Sequence, residues 1–153
     1  MRFWRFWRFW ELCDIGDIAD VQAAINKGVD VNEEDEDGRT GLMRALSNSH
    51  NNVVLLLLNH PQIDINKVDE HGRCALHYAV FSEFVHEYDD GMAALLARQN
   101  LTTINQKDNH GWTPIMDAVE YNAVNCFNLL LAHPEVDLDT RDDYRRSPEE
   151  VHR

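Results

Sequence analysis

Two observations predict the fold class of this 153-residue chain, an all-α solenoid of stacked helix–turn–helix units joined by β-turn fingers. The first is self-similarity. The stretch Asp35-Glu36-Asp37-Gly38 returns as Asp69-Glu70-His71-Gly72 and Asp108-Asn109-His110-Gly111, and a degenerate copy starts at Asp142 with Arg145 in the glycine position. Successive steps are 34, 39 and 34 residues, and a period near this length marks an array of small supersecondary units. The second is that each full copy holds a turn, a short helix signal and a second, strongly apolar helix signal.

The elements follow in order. Asp-x-x-Gly is turn chemistry, because Asp bonds its own backbone and Gly permits a positive φ. Thr113-Pro114 starts a first helix with Thr as N-cap and Pro at the first helical position, and Ser147-Pro148-Glu149-Glu150 repeats that start with a capping box. Second helices carry the apolar runs Val53 to Leu58, Met92 to Leu96 and Phe127 to Leu131. His60-Pro61 and His133-Pro134 end two of them, since Pro cannot continue a helix. Extended Ile63 to Asn66 and Val136 to Asp139 lead into the next turn. The resulting division is a low-complexity tract at 1–10, then an array over 11–153. The array comprises a partial unit at about 11–34, full units at 35–68, 69–107 and 108–141, and a partial unit at 142–153. The unit 69–107 has five extra residues, expected between its helices around Glu83 to Gly91.

Charge narrows the function classes. The formal charge is −13, and three of the 14 bases lie in the first ten residues, so residues 11–153 balance at −16. Such acidity argues against nucleic acid, whose phosphates are bound by clustered Lys and Arg, and favours a partner with a basic patch. Cys13, Cys74 and Cys126 are odd in number and widely spaced, which fits a reduced, intracellular compartment, the cytoplasm first and the nucleus left open. The apolar run at Val53 is too short to span a membrane, and the opening residues lack the apolar core of a secretory signal.

Several chemistries fail at the residue that matters most. With Glu33 as first ligand of a calcium loop, position twelve is Arg44, where a bidentate Glu is required. His86-Glu87 resembles the start of a zinc-protease helix, but the second His would fall on Asp90. There is no Gly-rich phosphate loop and no Gly-x-Ser-x-Gly elbow. No catalytic residue, metal or cofactor is therefore assigned.

The repeats strongly resemble the ankyrin family, whose Thr-Pro-Leu-His-x-Ala signature survives as Thr113-Pro114-Ile115-Met116-Asp117-Ala118 and Cys74-Ala75-Leu76-His77-Tyr78-Ala79. Residues 16–32 look like the second half of an N-terminal repeat. The resemblance implies that the His77 imidazole ties the start of its helix to neighbouring backbone. It also implies a concave binding surface of exposed positions beside the turn glycine and late in the first helix. These are Glu36, Asp37, Arg39, Ser47 and Asn48; Glu70, His71, Arg73, Phe81 and Ser82; Asn109, His110, Trp112, Glu120 and Tyr121. The segment Leu58 to Asn66 is similar to ankyrin segments modified by an asparaginyl hydroxylase, which makes Asn66 a modification candidate.

The expected function is a non-enzymatic module, a monomer that binds a protein or peptide partner. Two other readings stand beside it. In one, the threefold Arg-Phe-Trp tract at the N-terminus docks to a membrane surface and the repeats recruit a partner. In the other, the chain is a regulatory piece of a larger enzyme.

Overall fold

The computed structural model describes residues 7–86 and 90–151, with side chains 84–86 left aside. Four helix pairs follow one another: α1 (Phe9–Ile15) with α2 (Ile18–Asn26), α3 (Gly41–Ser47) with α4 (Asn51–Leu58), α5 (Ala75–His86) with α6 (Gly91–Leu96), and α7 (Pro114–Glu120) with α8 (Val124–Leu131). Helices of six to twelve residues are marginal alone. They persist because first helices pack on first helices and second on second, α1 to α3 to α5 to α7 and α2 to α4 to α6 to α8. Leu42, Leu46, Leu57, Leu76, Leu95 and Leu130 are fully buried between these two layers, each worth roughly 1.5–3 kcal/mol against exposure. Ala45, Ala79 and Ala118 are also buried, small residues at one register position where helices meet.

The fingers repeat atom for atom. The turn Asp accepts two backbone N–H groups through Oδ1: Asp37 and Arg39 on Asp35, His71 and Arg73 on Asp69, His110 and Trp112 on Asp108, Tyr144 and Arg146 on Asp142. Isolated bridges Glu34–Thr40 and Val68–Cys74 close two of the turns, and no strand forms among the described residues. Each finger is hydrogen-bonded to the one before it, Glu70 N–H to the Asp37 carbonyl, Asn109 to His71 and Asp143 to His110. A second ladder runs through asparagines. Asn32, Asn66 and Asn105 each donate to a carbonyl of the next unit (Gln62, Asn100, Glu135) at 2.7 Å and accept a backbone N–H from it (Asp64, Thr102, Asp137) at 2.8 Å.

Three expectations need revision. The five extra residues of unit 69–107 do not form a corner loop at their start: α5 has twelve residues where α3 and α7 have seven. In the short units the helix ends at Ser47 and Glu120, and the chain turns off at Ser49 and Asn122, both at positive φ (57° and 54°), whereas the equivalent Glu83 stays helical. Glu83 then accepts the N–H groups of Asn125 and Cys126 at 2.9 and 2.7 Å and caps α8 from another unit. His86, expected in a surface loop, lies in α5, while Glu87 lies outside the described residues.

The second revision is at the N-terminus. α1 begins inside the Arg-Phe-Trp tract, with Phe9 buried against the core and Glu33 accepting the Phe9 N–H at 2.8 Å. The first unit is thus a full helix pair, and the array starts two residues before position 11. Residues 1–6 of the tract lie outside the described residues.

The third is at Ser147. Its N–H does reach Glu150 Oε2 at 2.9 Å, but residues 148–151 form a hydrogen-bonded turn, not a helix.

Candidate functional site

The position between the signature His and Ala is polar in an otherwise buried stretch, and it recurs as Arg44, Tyr78 and Asp117. In two units it answers the turn aspartate of its own unit. Arg44 pairs with Asp35, and the Tyr78 hydroxyl donates to Asp69 Oδ2 at 2.5 Å. In the third unit the residue is Asp117 and the turn residue Asp108, so a donor–acceptor pair is replaced by two carboxylates. Asp117 is 8% exposed and makes no side-chain hydrogen bond or ion pair among the described residues. Burial first, then the Asp108 charge, push its carboxyl up to about 7.

Asp117 lines a groove of about 250 Å³ on the face built by fingers and first helices. Of the sequence-predicted surface residues, Arg39, Ser47, His71, Arg73, Phe81 and Tyr121 converge on this groove. His77, Tyr78 and Asp117 complete the lining and were absent from that set. Phe81 and Tyr121 meet edge to face, ring centroids 6.3 Å apart, a favoured aromatic geometry. Arg39 is held by Asp35 and Asp37 at 2.9 and 2.6 Å, while the Arg73 guanidinium makes no ion pair within 4.0 Å among the described residues.

His77 does what the resemblance implies. Its Nδ1 accepts the Cys74 N–H at 3.1 Å, and its Nε2 lies 3.1 Å from the Trp112 carbonyl of the next finger. Burial lowers its affinity for a proton, so the ring is neutral with the hydrogen on Nε2.

Other predicted residues lie elsewhere. Trp112 does not join Tyr121 in the groove; the Arg146 guanidinium sits 5.7 Å from its ring. Ser82, expected exposed, is fully buried with its hydroxyl 2.5 Å from that of Ser49. Glu36, Glu70, His110 and Glu120 are exposed. Asn109, also exposed, uses its amide to hold the Glu70 carbonyl at 2.9 Å, and Asn48 donates to Asp14 at 3.0 Å.

The acid run after Asn32 is absorbed by protein partners: Glu33 by Arg8, Glu34 by Lys67, Asp35 by Arg39 and Arg44, Asp37 by Arg39. Among the described residues no group of three or more His, Cys, Asp or Glu is placed to hold a metal ion, and no helix is long and apolar enough to cross a membrane. Cys13, Cys74 and Cys126 are buried free thiols, with burial pushing Cys13 up to about 12 and Cys74 to about 11.

Comparison with known proteins agrees with this geometry. Residues 10–100 match the family model for ankyrin repeats in three copies, and residues 110–143 match the ankyrin repeat model again. Rabankyrin-5 of Homo sapiens is 27% identical over 84% of this chain and 11% of its own length, and that of Mus musculus 28% identical over 73% and 9%. The tyrosine-protein kinase HTK16 of Hydra vulgaris is 26% identical over 67% of this chain and 13% of its own. The chain thus spans only about a tenth of the length of these relatives. Matched repeat by repeat over most of its residues, the chain belongs to the ankyrin repeat family.

Proposed function

We propose that the chain is a non-catalytic binding module that takes up a protein or peptide segment in the groove between Arg39 and Tyr121. Ankyrin repeats are in general protein-interaction units, which supports the class. The observation that carries the surface is the convergence of side chains from three successive units on one groove, with Phe81 and Tyr121 as rings and Arg73 unpaired among the described residues. Aromatic and Arg side chains dominate binding hot spots. Fingers tied to one another by backbone hydrogen bonds lose little ordering entropy on association. The reading includes a monomeric, intracellular protein, first of all cytoplasmic, consistent with three buried thiols. It also retains Asn66 as a hydroxylation candidate, which a one-oxygen mass gain in peptide mapping would reveal.

The test is quantitative affinity purification from a native extract with three baits: the full chain, Phe81→Ala/Tyr121→Ala, and Leu55→Ser on the opposite layer, where Leu55 is exposed. Partners kept by the first and third baits and lost by the second support the groove. A double variant that is folded and retains every partner overturns it. The kinase among the relatives favours a second reading, a repeat segment that regulates a catalytic domain in the same polypeptide; sequencing the full transcript decides it.

A further inference from the structure

We propose that the groove receives a basic side chain, lysine or arginine, whose cationic end sits against Asp117 between the rings of Tyr78, Phe81 and Tyr121. The inference rests on the module reading and adds the chemistry of the group that enters. Its starting point is a local conflict. The register position that satisfies the turn aspartate in two units, by Arg44 and by Tyr78, carries an acid in the third. A carboxyl 8% exposed and without a hydrogen-bond partner among the described residues carries an uncompensated desolvation cost. Such a group persists where something outside the chain answers it.

The sign of that answer follows from the neighbours. Asp108 and Glu120 act on Asp117 with negative charge and Arg73 with positive charge, Asp108 being the strongest of the three. Arg39 is neutralised by Asp35 and Asp37, and His77 is held neutral by burial. The potential at Asp117 is therefore negative, as is that of the chain as a whole. Aromatic faces add attraction for an ammonium or guanidinium group. An anionic ligand at Asp117 would meet that carboxylate, reinforced by the charges of Asp108 and Glu120 and offset by Arg73.

The probes are N-acetyl-lysine amide, N-acetyl-arginine amide, N-acetyl-norleucine amide and N-acetyl-glutamate amide, titrated into the isotopically labelled full chain and followed by amide chemical shifts. Lysine or arginine should move the amides of Phe81, Asp117 and Tyr121 and bind at least about fivefold more tightly than norleucine, as expected of a partly desolvated cation–carboxylate and cation–aromatic contact. Comparing the two cationic arms states which one the site prefers. Affinity should rise between pH 6 and pH 8, as Asp117 ionises, and fall with added salt. His71 also lines the groove, so the pH series is repeated in His71→Gln. Asp117→Asn, whose fold is checked in the same spectra, should abolish the preference for cations. Equal binding of norleucine, tighter binding of glutamate, or an unchanged preference in Asp117→Asn overturns the proposal. Loss of partners in Phe81→Ala/Tyr121→Ala with retention of them all in Asp117→Asn would sink this inference alone and leave the module reading standing.

Discussion

His77 Nε2 lies 3.1 Å from the carbonyl oxygen of Trp112, so the imidazole of one unit holds the finger of the next. Its Nδ1 must remain an acceptor for the Cys74 N–H. Protonation would set two donors against each other. His77→Ala should cost about 2–3 kcal/mol, the sum of two lost hydrogen bonds and a small cavity. Because burial lowers the folded-state proton affinity, the contribution is fully present above the ordinary histidine range. It declines as pH falls below about 6.5. Urea melts at pH 7.5 and 5.0 should show a smaller gap between wild type and His77→Ala at the lower pH.

Thr40 and Thr113 occupy the same N-cap position with opposite consequences. Thr40 Oγ1 accepts the Met43 N–H at 3.3 Å, whereas Thr113 Oγ1 is buried without a partner among the described residues. Thr40→Val should therefore destabilise by about 1 kcal/mol. Thr113→Val should stabilise by about 1 kcal/mol by removing an unsatisfied hydroxyl. Parallel chemical denaturation of the two variants checks the contrast, and equal losses would contradict it.

Gly111 and Arg145 hold equivalent turn positions at φ 77° and 63°. A Cβ on Gly111 would lie 2.7 Å from the Asp143 backbone nitrogen, so Gly111→Ala meets both the left-handed backbone and the following finger. A loss of about 2 kcal/mol or more is expected. Arg145 carries a side chain at a φ of 63°, so it bears the left-handed backbone cost. Arg145→Gly should stabilise by about 0.5–1 kcal/mol, read from the thermal midpoint.

Asp117 gives stability a pH dependence opposite to that of His77. Its folded-state value of about 7 stands above the ordinary aspartate value of 3.8, so the folded state binds the proton more tightly. Stability falls as pH rises from about 4 towards 7 and levels off above that. Asp117→Asn should be more stable than wild type at pH 8 by on the order of 1–3 kcal/mol, discounted for a groove that admits water, with the difference vanishing near pH 4. A variant less stable at pH 8 would mean the carboxylate has a partner within the fold.

The array and most of the groove were legible in the sequence because they are set by local, repeated rules. Asp-x-x-Gly makes the same turn wherever it occurs, an apolar face at helical spacing has to be covered, and a copy stacked on a copy puts like positions in rows. The family resemblance, carried over position by position, put Arg39, His71, Arg73, Phe81 and Tyr121 on one face, and they line one groove. What tertiary structure decided depends on contacts between units, which register does not specify. The destination of five extra residues was one such outcome, since a longer α5 brings Glu83 to the bare N-terminus of α8. The end of the Arg-Phe-Trp tract was another, where Phe9 closes the open side of α3 at Gly41, whose missing side chain leaves room for Cys13 and Phe9. Trp112 stands outside the groove, with the Arg146 guanidinium of the next finger 5.7 Å from its ring. The conflict at Asp117 was visible as a spelling, an acid where its counterparts are Arg44 and Tyr78. Only packing shows that this carboxyl is buried and unanswered, because desolvation is a property of the surroundings and not of the residue.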